Sequence, residues 1–231
     1  MPSEPQLPAE PLCLVFGDED FLVRDRAKQI YEGWCAAAGG MDHEVVDGTV
    51  RNADEALQAL AKLNEALQTL PFFGGNKVVW LRGANFLGDD RTASSAAVTD
   101  RLTELAKSWE SFDWQGVQLL ISAGKVDKRK SFLKTVKKFA ALEDKTVSEK
   151  ERGGRAAMVV RQRLDELGKK ISPHVADELI LLAGANLQQL HTEADKLAAY
   201  VGERDEVTRQ DVHEIATRTK QAAAFALGNA L

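Results

Sequence analysis

The chain has 231 residues, of which 44% are hydrophobic and 28% charged, and its formal net charge at pH 7 is −5. This composition is ordinary for a soluble globular protein and allows one large domain or two ordinary ones. The acidic balance gives no overall nucleic-acid signature but does not exclude a local basic patch. No apolar run reaches membrane-spanning length, and residues 1–10 predict a disordered tail rather than a signal peptide. Cys13 and Cys35 are typical of buried thiols in a reducing compartment, so we expect a cytoplasmic protein.

The first half of the chain alternates apolar strands with amphipathic helices. The predicted strands cover residues 12–16, 43–46, 77–81, 117–121 and 140–146. The predicted helices cover about 19–38, 96–109 and 130–139, and a further leucine-rich helix begins at Asn52 or Asp54. Strands separated by helices of this length imply βαβ crossovers and a mostly parallel sheet. We therefore predict an α/β domain over residues 11–147.

The second half carries the signals of helices alone. The predicted helix starts are the capping box of Ser148 with Glu151, Ser172-Pro173, Asn186, and Thr208 with Asp211. They predict a small all-helical lid domain over residues 148–219. Residues 220–231 are Ala-rich and end on apolar residues without a cap, so we expect them to begin a further helical domain of a longer protein.

The first strand runs into Gly17-Asp18-Glu19-Asp20, where a nucleotide-binding α/β domain carries its phosphate loop. A working loop reads G-x-x-x-x-G-K-[ST], with glycine amides around the phosphates and a lysine that reaches the outer ones. Here one glycine is followed by three carboxylates, without lysine or hydroxyl. Carboxylates at a helix N-terminus suit the helix dipole but repel a phosphate, so we read them as dipole partners and caps.

The metal site of an active ATPase is missing from the pattern as well. A parallel α/β domain followed by a helical lid is the arrangement of AAA+ proteins, in which an apolar strand ends in Asp-Glu to hold magnesium. Here one candidate strand ends in Arg82-Gly83 and the other in Ser122-Ala123. The four histidines are scattered without metal-ligand spacing, and no nucleophile motif occurs. We therefore predict no catalytic residue, no cofactor and no metal, in a protein that acts on other proteins.

Leu70-Pro71-Phe72-Phe73-Gly74-Gly75 places two adjacent aromatic rings in a connection that should be polar. One interpretation is that both rings fold back onto the sheet. The other is an exposed apolar wedge that fills a pocket of a partner, stiffened by Pro71 and turned by the glycines.

A basic segment covers residues 125–138. It holds seven cations against the single acid Asp127: Lys125, Lys128, Arg129, Lys130, Lys134, Lys137 and Lys138. In the predicted helix, Phe132, Leu133, Val136 and Phe139 face inward, and Lys130, Lys134, Lys137 and Lys138 face outward. A solvated helix face is the usual meaning of such a run, but its clustering in an acidic chain favours contact with a phosphate backbone.

Several segments together resemble the delta subunit of the bacterial DNA polymerase III clamp loader. They are the strand and acidic turn of Leu14–Leu22, the Leu70–Lys77 connection, the small-Gly-Lys-x-Asp-Lys-Arg pattern of Ser122–Arg129, and the lid segments Ile171–Pro173 and Gly184–Tyr200. These matches are in order, cover most of the chain, and imply an AAA+-like fold. In that family a third, helical collar domain oligomerises the loader, and 220–231 would be only its beginning.

The resemblance also implies a function. Delta subunits do not hydrolyse ATP; they bind the ring-shaped sliding clamp, the beta subunit, and open it for loading onto primed DNA. The clamp-binding element of the family corresponds to Phe72 and Phe73, supported by Leu70 and Pro71, although leucine is common at the position of Phe72. The implied partners are the clamp, the gamma/tau and delta prime subunits, and primer-template DNA, with no membrane.

Two alternatives remain open at this stage. The first is an active AAA+ nucleotide hydrolase with a degenerate loop, and the second is a DNA-binding regulator that reads DNA with its helical domain. Lys169 and Lys170 are too few to give that domain a strongly basic surface for DNA phosphates.

Overall fold

The computed structural model describes residues 6–39, 42–69 and 75–215. The chain forms two compact units, one over residues 5–146 and one that begins at Val147. Among the described residues, no helix is both long and apolar enough to cross a membrane.

The first unit is a parallel α/β sheet with helices on both faces. Its strands are β1 (Leu12–Phe16), β2 (Glu44–Asp47), β3 (Lys77–Arg82), β4 (Val117–Ala123) and β5 (Ala141–Asp144), in the order β2-β3-β4-β1-β5. Its helices are α1 (Asp20–Ala38), α2 (Ala53–Gln68), α3 (Ala96–Glu110) and α4 (Ser131–Val136), with a 3-10 helix at Asn85–Leu87. All four strand pairs are parallel, so the mostly parallel sheet predicted from the sequence is confirmed.

Strand β3 explains why the sheet is covered on both faces. Val79 and Leu81 join the larger core cluster, which packs against α2, α3 and α4. Val78 and Trp80 point to the opposite face and join a smaller cluster with α1. Because successive side chains of a strand alternate between faces, a continuous apolar run is stable only in a strand that is buried on both.

Two sequence predictions need correction in this unit. Part of the predicted disordered tail is ordered, because Leu7 packs on α1 over Gly33 and the Gln6 carbonyl accepts from Arg26 Nη2 at 2.7 Å. Helix α4 is shorter than the predicted 130–139, since Lys137 is already its C-cap. The connection after β3 contains the 3-10 helix, in which Phe86 is fully buried.

The second unit is helical. It contains α5 (Glu149–Glu166), α6 (Pro173–Ala183), α7 (Leu187–Val201) and helical residues 209–215, with two short parallel strands, β6 (Lys170–Ile171) and β7 (Glu206–Val207), that the sequence analysis missed. The predicted caps are present. The Glu151 carboxylate accepts from the Ser148 amide at 3.1 Å, and Asn186 Oδ1 accepts from the Gln189 amide at 2.9 Å. Residues 220–231 lie outside the described part of the chain.

Candidate functional site

The predicted partner-binding residues, Leu70, Pro71, Phe72 and Phe73, lie outside the described residues. Their role in binding a clamp therefore stays a prediction. The two ends of this connection are described: Thr69 is the C-cap of α2, and Lys77 is the first residue of β3.

The side chain of Lys77 joins these two ends. Its Nζ lies 2.8 Å from Thr69 Oγ1 and 3.4 Å from the Thr69 carbonyl oxygen, and 2.5 Å from Glu44 Oε1 in β2. The Lys77 side chain is only 3% exposed, whereas that of Glu44 is 48% exposed. Sequence analysis missed this contact, because a lysine at the start of a strand gives no signal of where its ammonium group points.

The turn at Gly17 is packed against the backbone that follows β4 and β5. The Gly17 amide donates to the carbonyl oxygen of Gly124 at 3.2 Å, so this N–H is already bonded within the protein. A Cβ at Gly17 would lie 2.4 Å from the carbonyl carbon of Lys145 and 2.7 Å from the Thr146 nitrogen. The N-cap residue Glu19 makes no side-chain cap hydrogen bond, so the expected capping role of its carboxylate is not seen. The glycine serves close packing of backbone on backbone here.

The ends of β3 and β4 are closed by a neutral hydrogen-bond network. Ser122, which is 3% exposed, accepts through Oγ from Trp80 Nε1 at 3.0 Å and from the Gly83 amide at 3.1 Å. Its carbonyl oxygen accepts from the Ala84 amide at 2.8 Å. The hydroxyl of Ser122 therefore holds the two strand ends together, at the sheet edge where an active AAA+ protein has its acidic pair.

A cleft of about 890 Å³, which the sequence did not reveal, lies between α1 and the ends of β3 and β4. Its lining includes the Tyr31 and Trp80 rings, whose centroids are 5.1 Å apart. Four cations line it, and each lies near an acid: Arg24 with Asp20 at 3.6 Å, Lys28 with Glu32 at 3.7 Å, Arg82 with Asp47 at 4.0 Å, and Lys125 with Asp89 at 3.4 Å. These pairs together give the cleft no excess of positive charge.

Most cations of the basic segment are engaged within the protein. Four make ion pairs: Lys125 with Asp89 at 3.4 Å, Lys128 with Asp144 at 2.6 Å, Arg129 with Asp127 at 3.0 Å, and Lys138 with Glu110 at 2.8 Å. Lys130 Nζ donates to the Ala93 carbonyl oxygen at 2.5 Å, so the outward orientation predicted for Lys130 is wrong. Hydrogen bonds from Arg129 lower the pKa of Asp127 to about 2, which keeps that carboxylate charged.

Lys134 and Lys137 differ from the other cations of this segment. Neither makes an ion pair with any residue that the structure describes, and both are exposed. The inward face of the helix is as predicted, with Phe132, Leu133 and Val136 buried. Among the described residues, Lys134 and Lys137 are therefore the cations of the basic segment that make neither an ion pair nor a side-chain hydrogen bond within the protein.

The described residues contain no group of three or more His, Cys, Asp or Glu side chains that could hold a metal ion. Three of the four histidines have local partners, and His191 Nδ1 lies 3.6 Å from Asp195 Oδ2. His43 Nδ1 accepts from the Val78 amide at 3.2 Å, and His213 Nε2 lies 2.7 Å from Glu178 Oε1. The contacts of these three rings are local to the fold.

Comparisons with known proteins agree with this architecture. Residues 14–145 match the family described as "DNA polymerase III, delta subunit". The DNA polymerase III subunit delta of Bacillus subtilis (strain 168) is 23% identical over 225 residues, which cover 95% of this chain and 60% of that protein. The probable DNA polymerase III subunit delta of Aquifex aeolicus (strain VF5) is 22% identical over 212 residues, which cover 90% of this chain and 55% of that protein.

A solved structure shows the same fold. The Bacillus subtilis DNA clamp loader delta protein (YqeN) superposes with a TM-score of 0.60 at 22% identity, over 88% of this chain and 57% of that one. The α/β fold class predicted from the sequence, a mostly parallel sheet flanked by helices, is thereby confirmed. The chain spans between 55 and 60% of the length of these relatives. Since the family match covers more than half of its residues, the chain belongs to the DNA polymerase III delta subunit family.

Proposed function

We propose that this chain acts as a non-catalytic delta subunit of a DNA polymerase III clamp loader. In this role it binds the sliding clamp and opens it for loading onto primed DNA during replication. The observation that carries the proposal is the family match over residues 14–145, which spans the sheet and both flanks of the Leu70–Phe73 connection. Its partners are the clamp, the gamma/tau and delta prime subunits, and primer-template DNA within the assembled loader.

The absence of nucleotide chemistry in this proposal is supported by local geometry. The Gly17 amide is bonded to Gly124, and the Gly17 turn packs against the backbone of Lys145. The strand ends meet in a neutral network around Ser122. A subunit built in this way contributes binding energy to the loader and leaves ATP hydrolysis to its partners.

The clamp-binding element in this proposal is Phe72 and Phe73, supported by Leu70 and Pro71. A ring that is buried in a partner removes roughly 150–250 Å² from water. Such central anchors typically cost at least about 2 kcal/mol each when they are truncated. Replacing both rings should therefore weaken clamp binding by roughly 100-fold or more.

The test combines Phe72→Ala with Phe73→Ala and measures clamp affinity and thermal melting on the same samples. Leu181→Ala is the matched control, because Leu181 is an apolar side chain of the helical unit that is 82% exposed. The proposal expects lost affinity with an unchanged melt for the double variant, and unchanged affinity for the control. If the rings are core residues, the melting temperature should fall, because truncating each buried ring lowers the free energy of unfolding by about 3–5 kcal/mol. A lower melting temperature of the double variant, or a clamp affinity equal to that of the parent chain, would contradict this role of Phe72 and Phe73.

A further inference from the structure

Strand β2 is an edge strand of the sheet, and its outer side is paired with no strand in the described part of the chain. Directly after β2, the Gly48 amide donates to the Arg82 carbonyl oxygen at 2.7 Å, so the backbone of Gly48 faces β3. Because the backbone groups of successive strand residues point to opposite sides, those of Val45 and Asp47 point away from β3. Neither their N–H groups nor their carbonyl oxygens bond to a residue that the structure describes.

A groove of about 540 Å³ lies beside this edge, between β2 and α2. The residues of α2 that line it share one face of the helix: Glu55, Gln58, Ala59, Lys62, Glu65 and Ala66. Ala59 and Ala66 are small and buried, so the floor of the groove leaves room for the side chains of a further strand. From Glu55 to the C-cap Thr69 the helix rises about 20 Å, which is the length of roughly six residues of extended chain.

The charges of this groove are mostly negative. Its lining contains four acids and one cation, which are Glu44, Asp47, Glu55, Glu65 and Lys62. Lys77 pairs with Glu44 at 2.5 Å, and Arg82 lies 4.0 Å from Asp47. Glu55 and Glu65 make no ion pair with any residue that the structure describes. The groove therefore favours an occupant that carries lysine or arginine side chains, and it repels a phosphate backbone.

The two faces of β2 differ in what they offer to an added strand. Val46 packs into the core under α2, whereas Val45 lines the cleft beside α1 and is 43% exposed. The side chains of a strand that pairs with this edge would alternate in the same way. Every second one would lie over α2, near Glu55 and Glu65, and the others would lie beside Val45. The first set should be basic and the second apolar.

A second copy of β2 is a poor occupant of this edge. The strand carries Glu44 and Asp47 and no cation, so two such strands side by side would bring like charges together, which is destabilising. Charged residues are one of the means by which edge strands avoid pairing with themselves. They give no protection against a strand of the opposite charge.

We propose that the outer edge of β2 and the groove beside α2 form a docking site for an extended segment of a partner protein, in which basic and apolar residues alternate. The segment adds a strand to the sheet, and its backbone bonds to that of Val45 and Asp47. Its basic side chains reach Glu55 and Glu65, and its apolar side chains cover Val45. This site uses described residues of β2 and α2 alone and does not depend on the proposed clamp-binding segment.

The probe is a synthetic peptide of three Lys-Val repeats with blocked ends. Its control has the same composition in two blocks, three lysines followed by three valines. Binding to the full chain is measured by calorimetry at low ionic strength, and the exchange of single backbone amides by NMR. We expect the repeat peptide to bind saturably with a dissociation constant below about 1 mM, and the block peptide to bind at least about tenfold more weakly. The repeat peptide should slow exchange of the Val45 and Asp47 amides and leave that of Gly48, which is already bonded, unchanged.

Two substitutions test the backbone and the charges separately. Val45→Pro removes an outward N–H without breaking a bond to β3, and it should weaken binding by about tenfold or more, because proline cannot donate to an incoming strand. Glu65→Lys places a like charge in the groove and should weaken binding by about fivefold. Glu203→Lys is the matched control, because it makes the same change in charge at an exposed position of the helical unit, and it should bind like the parent chain. Melting temperatures show that each variant is folded.

Several results would overturn the docking site. If the repeat peptide does not bind, or binds no better than the block peptide, strand pairing is absent. If it binds while the Val45 and Asp47 amides exchange as before, it binds elsewhere. If Glu65→Lys and Glu203→Lys weaken binding equally, the net charge of the chain attracts the peptide and the groove does not. None of these results depends on the clamp, so the proposed function and this inference can fail separately.

Discussion

The amide nitrogen of Gly17 donates a hydrogen bond to the carbonyl oxygen of Gly124, over 3.2 Å. This bond joins the turn after β1 to the end of β4, so the turn lies against the neighbouring strand. The space on its other side is filled by the backbone of Lys145 and Thr146. The position that serves phosphate binding in related folds is therefore used for packing in this protein.

Gly17→Ala should destabilise the α/β unit. Its Cβ would lie 2.4 Å from the Lys145 carbonyl carbon, and backbone cannot move away as a flexible side chain would. Overpacking of this kind costs about 1–3 kcal/mol in the free energy of unfolding, measured by chemical denaturation. Gly124→Ala is the control, because its Cβ would meet nothing within 4 Å. Equal stability of the two variants would contradict the packing role of Gly17.

Mg-ATP should leave the thermal melt of this chain unchanged. A ligand that binds the folded state at 100 times its dissociation constant adds about 2.7 kcal/mol of stability, which a melt detects readily. The bonded Gly17 amide and the balanced charges of the α1 cleft give no reason for such binding. A clear upward shift, together with ATP turnover that a substitution in the α/β unit abolishes, would support the rival view of a degenerate but active hydrolase.

Much of this fold could be predicted because the signals are local. The apolar run of β3, the capping box of Ser148 with Glu151 and the Asn186 cap each lie within a few residues of sequence. Secondary structure and the parallel sheet follow from such signals. The strands β6 and β7 were missed because two residues are too few to show a period.

The candidate site was harder to predict because its contacts join distant residues. The basic segment contains one acid in sequence, yet Asp89, Glu110 and Asp144 neutralise three of its cations from 36, 28 and 16 residues away. The ammonium group of Lys77 likewise pairs with Glu44, which is 33 residues distant. A count of charges along the chain cannot anticipate pairs that only the packed helices and strands bring together.

The two unpaired lysines of the basic segment should carry its contact with DNA. Lys134→Glu combined with Lys137→Glu should lower DNA-dependent clamp loading by the assembled loader. It should also make the logarithm of the DNA-binding constant fall less steeply with the logarithm of the salt concentration. The slope should become smaller by about 2, since each contact with a duplex phosphate contributes roughly 0.9 to it. Loading assays across a salt series measure both effects.

A control with the same change in net charge is Lys62→Glu combined with Lys150→Glu, two exposed lysines elsewhere in the chain. This pair should leave loading and its salt dependence near those of the parent. If both double variants behave alike, or if neither changes the salt dependence, the basic segment is a solvated helix face.

The carboxylate of Asp211 should make the helical unit sensitive to acid. Arg204 donates to it through both terminal nitrogens, at 2.8 and 3.1 Å, and Thr208 donates through its amide at 2.9 Å and its hydroxyl at 2.7 Å. The hydrogen bonds from Arg204, followed by those from Thr208, lower the pKa of Asp211 from 3.8 to about 2, although its burial opposes the shift. The charged form is therefore favoured in the folded state.

Because the folded pKa lies below the unfolded one, this stabilisation is complete above about pH 4 and is lost as the pH falls toward about 2. Asp211→Asn should thus cost on the order of 2 kcal/mol near pH 7, and the difference from the parent chain should shrink across that acid range. Denaturation followed at several pH values measures it. Asp205→Asn, at an exposed position of the same unit, is the control for the removal of one carboxylate. A difference that stays constant down to pH 2 would mean that the Asp211 carboxylate stabilises the unit through its shape and packing and not through its charge.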